Sequence, residues 1–256
     1  MSIERFTDPE RRVSLRDHGD GLWAVVMADH SGKNAFSEAF VAELEEVLRY
    51  TCDARDVKVL VLLGLPEVFA SGAPRELLAR LARGEVLPTD IMLSKALLDV
   101  PIPTIAAMQG HATGGGLALG LCADIIIMAR ESRYGASFMN MGFTPGMGMT
   151  RLLEHVLSPA IAQELLYTGE FRKGADFMGS SGINYILPRS QVCAKAFDVA
   201  SQIAEKPRGS LELLKRTLSV KRRQSFEESR TLESMMHSIS FTQDEVRDRI
   251  EGEYVE

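Results

Sequence analysis

The chain has 256 residues, of which 45% are hydrophobic and 25% are charged, and its formal net charge at pH 7 is -6. These proportions are typical of a globular protein that is long enough to bury a full core. The acidic balance, without a strongly basic stretch, argues against nucleic-acid binding, and the longest apolar runs are too short for a membrane span. Three widely spaced cysteines and a charged N-terminal region predict reduced thiols, no signal peptide and a cytoplasmic location.

Predicted strands and helices alternate through the first part of the chain. Two strands flank a hairpin turn at His18-Gly19-Asp20-Gly21, and Ser37 has the character of a helix N-cap. The predicted strands are residues 13–17, 22–28, 57–63, 103–108 and 124–128. The predicted helices are residues 38–50, 75–82, 90–98 and a short helix ending at 122, with a loop at 65–74. This alternation predicts an α/β core with parallel strands.

Helical patterns dominate from residue 147 onward. The predicted helices there are residues 151–156, 159–167, 191–204, 210–220, 226–239 and 244–252. The break Glu205-Lys206-Pro207-Arg208 is the best candidate for a boundary. We therefore divide the chain into a core, residues 1–205, and a C-terminal helical region, residues 206–256.

A glycine-rich turn, Gln109-Gly110-His111-Ala112-Thr113-Gly114-Gly115-Gly116, joins a predicted strand to a predicted helix. Glycines at such a junction let the backbone approach a ligand, and the first N–H groups of the helix have no helical partner. This arrangement suits an oxygen that becomes negative, such as that of an enolate. A phosphate-binding loop would need Gly-Lys-Ser/Thr, but Leu117 and Ala118 follow here. Close packing of a helix on a strand is the purely structural alternative.

A second turn of small residues, Phe69-Ala70-Ser71-Gly72-Ala73, precedes a predicted helix that begins near Pro74. We expect both turns to follow strands of one parallel sheet, where carboxyl ends of strands form ligand sites. Two backbone donors that converge on one oxygen would form an oxyanion hole.

Six short segments are distinctive in combination. They are Lys33-Asn34-Ala35-Phe36, Phe69-Ala70-Ser71-Gly72-Ala73, Ile102-Pro103-Thr104-Ile105-Ala106-Ala107, Gly114-Gly115-Gly116, Cys122-Ala123-Asp124 and Gly142-Phe143-Thr144-Pro145-Gly146. Together they resemble the crotonase, or enoyl-CoA hydratase/isomerase, superfamily from about Leu22 to the C-terminus.

The resemblance implies a crotonase-like α/β spiral of ββα units, with a C-terminal helical region used in trimer contacts. It implies an acyl-thioester substrate whose carbonyl oxygen accepts hydrogen bonds from the backbone N–H groups of Ala73 and Gly115. Gly114 belongs to the same substrate-binding turn. We further expect a homotrimer or a hexamer, no cofactor, and no metal, since no His, Cys or Asp cluster has metal-ligand spacing. The acyl group would be carried on the phosphopantetheine of an acyl carrier protein or on CoA.

The departures from the superfamily concern its two catalytic glutamates. Hydratases carry one glutamate where this chain has Ala118 and the other where it has Phe138. Hydration needs a carboxylate to activate water, and neither alanine nor phenylalanine does so. An enolate hole without water chemistry suits decarboxylation, in which loss of CO₂ generates the enolate. Phe138, Met139, Met141 and Phe143 would form an apolar wall around the departing carboxylate, although each also fits simple core packing.

Further segments resemble the decarboxylating members found in polyketide β-branching cassettes. They are Arg130-Glu131-Ser132-Arg133-Tyr134, Ser137-Phe138-Met139-Asn140, Ala204-Glu205-Lys206-Pro207-Arg208 and Met235-Met236-His237. This subgroup decarboxylates a 3-methylglutaconyl-type thioester to a β-methyl branched enoyl thioester, and its C-terminal histidine corresponds to His237, as proton donor or carboxylate partner.

Some members of that subgroup also use a tyrosine and a lysine, at positions occupied here by Leu77 and Leu81. Arg75 and Arg80 are possible replacements on the same predicted helix. His111 is a candidate for positioning the thioester, although a structural hydrogen bond is the favoured role.

Two other functions stay open on the sequence. One is hydratase or isomerase activity through other acid–base groups, and the other is an inactive, thioester-binding scaffold. An acidic carrier protein would favour a basic docking patch, and the densest cluster contains Lys215, Arg216, Lys221, Arg222 and Arg223. A solvated helical face is the alternative for this cluster.

Overall fold

Two β-sheets lie at the centre of the fold in the computed structural model, which describes residues 3–8, 10–86, 93–179 and 181–252. The strands are β1 (Val13–Asp17), β2 (Leu22–Met27), β3 (Val59–Leu63), β4 (Val68–Ala70), β5 (Thr104–Met108), β6 (His111–Thr113), β7 (Ile125–Ala129), β8 (Arg133–Gly135), β9 (Phe171–Lys173) and β10 (Tyr185–Leu187). The larger sheet has the order β1-β2-β3-β5-β7-β10 and the smaller sheet has the order β4-β6-β8-β9.

The helices surround these sheets. They are α1 (Glu38–Asp53), α2 (Arg75–Ala82), α3 (Leu93–Leu98), α4 (Gly115–Leu121), α5 (Met149–Val156), α6 (Pro159–Thr168), α7 (Arg189–Ala204), α8 (Arg208–Leu218), α9 (Val220–Ser240) and α10 (Asp244–Gly252), with short 3₁₀ helices at Ile3–Phe6, Ser137–Met141 and Gly174–Phe177. The predicted helix at 90–98 is present from Leu93, and residues 90–92 lie outside the described residues. Within the described ranges, no helix has the length and apolarity that a bilayer crossing requires.

The predicted parallel α/β core is confirmed. Strand β1 pairs with β2 in antiparallel fashion, as the hairpin motif predicts, whereas the neighbours β2–β3, β3–β5, β5–β7 and β7–β10 are parallel. The strands β3, β5 and β7 are almost wholly buried, because helices and the smaller sheet cover both faces of the larger one.

The chain advances as a spiral of repeated strand–strand–helix units. Strands β3, β5 and β7 lie in the larger sheet, and each is followed by a short strand of the smaller sheet, β4, β6 or β8. The expectation that both small-residue turns follow parallel strands of one sheet is confirmed, but those strands are not the ones predicted at 57–63 and 103–108. The turns follow β4 and β6, which are parallel neighbours in the smaller sheet, so the turns still emerge side by side.

Asn34 ties the two sheets together close to these turns. Its side-chain amide donates to Met27 O at the end of β2 and to Phe69 O in β4, at 3.1 and 2.9 Å. Its Oδ1 accepts from Asp29 N at 2.9 Å, and the backbone adopts φ +54°, a conformation that asparagine tolerates better than most residues. This hydrogen bonding gives a structural reason for the Lys33-Asn34-Ala35-Phe36 motif.

The C-terminal helices fold back onto the core through an ionic cluster at Asp124, which is itself half-buried. This carboxylate binds Lys215 Nζ from α8 and Arg222 Nη2 from α9, and it accepts from Thr104 N and Oγ1 at 2.9 Å each. Both basic side chains are buried. The suggestion that Lys215 and Arg222 belong to a basic docking patch is therefore wrong. The alternative of a solvated helical face is also wrong for these two residues, because both are buried in ion pairs with Asp124.

We predict that Asp124→Asn lowers the free energy of unfolding at pH 7 by about 3 kcal/mol, because it leaves two buried cations without a counter-charge. Burial raises the pKa of Asp124, but Lys215 and Arg222 outweigh it and the net pKa is lowered. The contribution is thus complete above the ordinary pKa of about 3.9 and disappears as the pH falls through the lowered value. Urea unfolding should show the two proteins converging in acid. Asp99→Asn, which removes two exposed ion pairs, with Lys95 and Arg223, is the control and should cost less than about 1 kcal/mol.

Candidate functional site

A cavity of about 250 Å³ lies where the two small-residue turns meet the Ser137–Met141 3₁₀ helix and the end of α9. Most of its wall is apolar. The lining residues are Phe36, Ser71, Gly72, Ala73, Leu78, Leu81, Thr113, Gly114, Gly115, Ser137, Phe138, Asn140, Met141, Phe143, Gly146, Met147, Phe171, His237 and Phe241.

The backbones of the two turns touch at Gly72. A Cβ atom at this position would lie 2.7 Å from Thr113 O and 3.2 Å from Gly115 N, and the residue adopts φ +80°. Only glycine combines the positive φ with the absence of a Cβ atom that would push the two turns apart. Ala73 and Gly115, the two expected oxyanion donors, accordingly lie on one wall of the same cavity.

Gly115 begins α4, so its N–H is one of the helix-terminal donors that lack an intrahelical partner. Gly114 precedes it with φ +51° and ψ -117°, a conformation that is open to glycine. A Cβ atom at Gly115 would lie 2.7 Å from Met147 Sδ and 3.0 Å from a ring carbon of Phe36. These two side chains therefore pack directly against the predicted donor and limit where its amide can point.

The two positions that carry glutamate in hydratases are occupied as the sequence states, and both are buried. Ala118 lies in the first turn of α4, and Phe138 forms part of the cavity wall. Among the described residues that line the cavity, none is aspartate or glutamate. The described part of the wall thus contains no carboxylate to activate water.

His237 reaches this cavity from α9 and is only 6% exposed. Its Nε2 lies 2.8 Å from Thr144 O; because a carbonyl oxygen only accepts, Nε2 carries the proton. Its Nδ1 is buried and has no hydrogen-bond partner within the described structure. Burial lowers the pKa of His237, opposed by the carbonyls of Thr144 and Pro145, so the resting imidazole is neutral at pH 7.

Aromatic rings surround His237. Phe143 stacks on Phe241 with ring centroids 4.8 Å apart, and the imidazole lies 5.3 Å from Phe241. Phe138 and Phe143 meet edge to face at 6.1 Å. Of the apolar wall predicted from the sequence, Phe138, Met141 and Phe143 line the cavity, and Phe241 is added at the end of α9.

Two residues predicted to bind substrate lie elsewhere. Met139 is 37% exposed and is absent from the cavity wall, because the 3₁₀ turn directs it away from its neighbour Phe138. His111 lies in β6, where its Nδ1 accepts from Arg133 N at 2.7 Å, so the favoured structural hydrogen bond is present. It is likewise absent from the wall.

Helix α2 presents leucines to the cavity. Leu78 and Leu81 are lining residues, whereas Leu77 is not. Arg75 instead binds Glu251 O and Arg80 binds the carboxylate of Glu38, so neither replaces a cavity lysine. In the described ranges, no three His, Cys, Asp or Glu side chains are grouped to hold a metal ion.

Sequence reasoning missed Phe36, Met147 and Phe241 as site residues. Phe36 belongs to the recognised Lys33-to-Phe36 motif. Its packing against Gly115, which is distant in sequence, could not be read from that motif. Met147 follows the Gly142-to-Gly146 motif and has a left-handed φ of +61°, which its residue type does not signal. Phe241 ends α9 and is indistinguishable from core packing in the sequence.

Comparison with known proteins agrees with this geometry. The enoyl-CoA hydratase/isomerase family model matches residues 17–256. The chain belongs to this family. It is 42% identical over 243 residues to the bacillaene synthase decarboxylase PksI of Bacillus subtilis, covering 94% of this chain and 97% of the relative.

Two solved structures superpose on most of the chain. The structure from a dehydratase/decarboxylase enzyme couple involved in polyketide β-branching matches with a TM-score of 0.92 and 40% identity, covering 96% of this chain and 100% of that one. The ECH2 decarboxylase domain of CurF from Lyngbya majuscula matches with a TM-score of 0.89 and 38% identity, at the same coverage. The expected crotonase fold is thereby confirmed, and PksI and the CurF domain are decarboxylating members of the family.

We predict that Gly72→Ala lowers the free energy of unfolding by more than Gly84→Ala does. Both residues have positive φ, +80° and +70°, but a Cβ atom at Gly84 meets nothing within 4 Å. The control should cost about 1 kcal/mol for the left-handed backbone alone. Gly72→Ala should cost at least about 1 kcal/mol more, because it also forces the two turns apart. Equal values in urea unfolding would contradict the close contact between the turns.

Proposed function

We propose that this protein decarboxylates a 3-methylglutaconyl-type thioester and gives a β-methyl branched enoyl thioester in polyketide biosynthesis. The observation that carries the proposal is a cavity that joins two backbone turns suited to an oxyanion with a wall whose described residues include no carboxylate. The similarity to PksI and to the CurF decarboxylase domain supports the same reaction.

In the proposed reaction, the thioester oxygen accepts hydrogen bonds from the backbone N–H groups of Ala73 and Gly115. The bond between the substrate carboxylate and its carbon chain breaks, CO₂ leaves, and the electron pair moves through the double bond to the thioester oxygen. The two N–H groups stabilise the negative charge that develops on the thioester oxygen of the dienolate. A single oxyanion donor of this kind typically accelerates a reaction by about 10²–10³-fold. A proton then returns to carbon and completes the product.

We assign His237 as the partner of the substrate carboxylate and the source of that proton. Its Nε2–H is held by Thr144 O, which leaves Nδ1 as the nitrogen that can exchange a proton with substrate. A bound carboxylate beside Nδ1 would favour the protonated ring and so offset the effect of burial. Phe138 and Phe143 exclude water from the part of the cavity in which the substrate carboxylate loses its negative charge as CO₂ forms.

Hydration or isomerisation is the alternative enzymatic function. Either reaction needs an acid–base group near the thioester, and Ala118 and Phe138 occupy both positions used for it in hydratases. An inactive thioester-binding scaffold is the other alternative. The neutral, buried imidazole argues against it, because a ring with an unpartnered nitrogen is a cost that binding alone does not need.

The acyl group is proposed to arrive on the phosphopantetheine arm of an acyl carrier protein, with CoA as the other possible carrier. This rests on the polyketide β-branching setting of the relatives. We also propose that the chain assembles as a homotrimer or a hexamer. Exposed apolar side chains on α8 and α9 support an interface between copies; they are Leu213, Leu214, Leu218, Leu232, Met235 and Ile239.

Mass spectrometry of 3-methylglutaconyl carrier protein incubated with the enzyme tests the reaction. Loss of the mass of CO₂ is the expected result. Gain of the mass of water would instead establish a hydratase, and an unchanged mass would favour the scaffold. The same acyl group on CoA, assayed in parallel, distinguishes the two carriers.

We predict that His237→Gln lowers kcat for decarboxylation by about 10²-fold, the lower end of general acid–base effects, while the protein stays folded. Glutamine retains an N–H donor for Thr144 O but does not titrate. Because burial lowers the pKa of His237, kcat/KM of the wild type should fall as the pH rises through a value below the ordinary pKa of about 6.5. This fall in kcat/KM with rising pH should be absent in His237→Gln. Unchanged turnover would remove His237 from the mechanism.

We predict a trimer in light scattering after size exclusion, and its weakening by Met235→Glu combined with Ile239→Glu. Both side chains are exposed on α9 and line a shallow apolar groove with Leu232. Charges there would have to be desolvated at an interface. Tyr167→Glu on α6, where the side chain is 79% exposed, is the matched control and should leave the mass unchanged. A wild-type monomer would contradict the assembly.

A further inference from the structure

Glu233 is a buried carboxylate that the reaction described above does not use. It lies on α9 and is only 3% exposed. Its Oε2 accepts from Gly148 N at 2.7 Å, and its Oε1 accepts from Thr150 N at 2.9 Å and from Thr150 Oγ1 at 2.7 Å. Both oxygens thus bind the first turn of α5.

This carboxylate replaces the cap that α5 lacks. The N-cap residue is Gly148, which has no side chain and adopts φ +83°. Helix N-termini attract negative charge, so a carboxylate from another helix satisfies the free N–H groups and the dipole together. A serine or aspartate at position 148 would do the same locally. Position 148 is closed to them, because a Cβ atom there would collide with the ring of Phe226.

The segment from Thr144 to Thr150 is held by α9 at both ends. Thr144 O binds His237 and Thr144 Oγ1 lies 3.3 Å from Ser240 Oγ, while Gly148 and Thr150 bind Glu233. Glu233 and His237 are four residues apart and therefore lie on the same face of α9. The grip of Glu233 sets the position of α9 along this segment, and hence the place at which the imidazole enters the cavity.

The same segment controls the other half of the site. Met147 lies inside it with φ +61°, and its Sδ packs where a Cβ atom of Gly115 would be. Gly146 leaves room for the imidazole, because a Cβ atom there would lie 2.7 Å from His237 Cε1. A shift of this segment would therefore move both the histidine and the side chain that packs against the oxyanion turn.

Burial raises the pKa of Glu233, although the bonds from Thr150 and Gly148 favour the carboxylate. A buried acid with a raised pKa reduces the stability of the fold at neutral pH relative to an exposed one. The hydrogen bonds from Gly148 and Thr150 hold the carboxylate in place despite the cost of its burial.

We propose that Glu233 is a positioning residue, which fixes His237 and the 144–150 segment in the geometry that the cavity needs. This inference rests on the proposed decarboxylation for its kinetic test. Glu233→Gln places an amide NH₂ opposite backbone N–H donors and so breaks one side of the grip while preserving volume.

The variant should lower kcat by about 10–10²-fold with KM within about twofold, as expected for a misplaced group in a site that still binds substrate. The exposed Glu228→Gln on the same helix is the matched control and should behave as wild type. Thr150→Val, which removes only the hydroxyl bond, should give a smaller change in the same direction if Glu233→Gln folds poorly.

A second readout is independent of activity. Side-chain ¹⁵N NMR distinguishes the two neutral histidine tautomers, and the signal of His237 is identified by its loss in His237→Gln. The wild type should show the Nε2–H form, and Glu233→Gln should show a mixture. If the wild type proves inactive, this tautomer change alone still supports the positioning role. Unchanged kcat and an unchanged His237 signal, with only a lower Tm, would reduce Glu233 to a helix cap and overturn the inference.

Discussion

The site depends on the direct backbone contact between the turn at Gly72 and the turn at Gly115. Every other part of the cavity is arranged around this contact. The pairing of β4 with β6 brings the turns side by side, and Asn34 fixes β4 to the larger sheet. The absence of a side chain at Gly72 then lets the turns approach to the distance of van der Waals contact. A pair of convergent amides is difficult to build with side chains, because each side chain adds rotational freedom that must be lost.

The C-terminal helices complete what this contact begins. Asp124 binds α8 and α9 to the start of β7, and Glu233 binds α9 to α5. Distant segments meet at both carboxylates, of which Glu233 is buried and Asp124 is half-buried. Because α9 is fixed at two points, its histidine enters a site built by residues that precede it by about a hundred positions or more. The core therefore supplies the amides, and the C-terminal region supplies the ionisable group.

Sequence reasoning placed both ends of two short helices correctly, whereas it placed the start of the longest described helix, α9, six residues too late. The helix predicted at 75–82 and the helix at 244–252 match α2 and α10, and the hairpin of β1 and β2 was recognised from its turn. The short strands β4, β6 and β8 were not predicted, because three residues carry no period and their pairing partners are distant in sequence. Nor did any local pattern reveal that Asp124 would bury two basic side chains.

In the candidate site, too, the features encoded by single residues were predicted, and those that depend on distant contacts were not. The glycine turns and the missing glutamates were readable from single residues and their order, and Phe138 and Phe143 were placed in the wall correctly. Met139 was not, because the phase of a one-turn 3₁₀ helix decides which neighbour faces inward. No sequence pattern indicated a buried position for Glu233. On a polar helix a glutamate is expected to face solvent, and only the uncapped start of α5 explains its burial.

The apolar character of the wall also bears on the direction of the proposed chemistry. Its described residues include neither lysine nor arginine, so a substrate anion enters surroundings that solvate it poorly. Carbon dioxide is uncharged and meets no such penalty. The described lining therefore accommodates the gas better than the acid from which it came, and apart from the titratable His237 it contains no cationic side chain to retain a carboxylate formed by the reverse, carbon-fixing reaction.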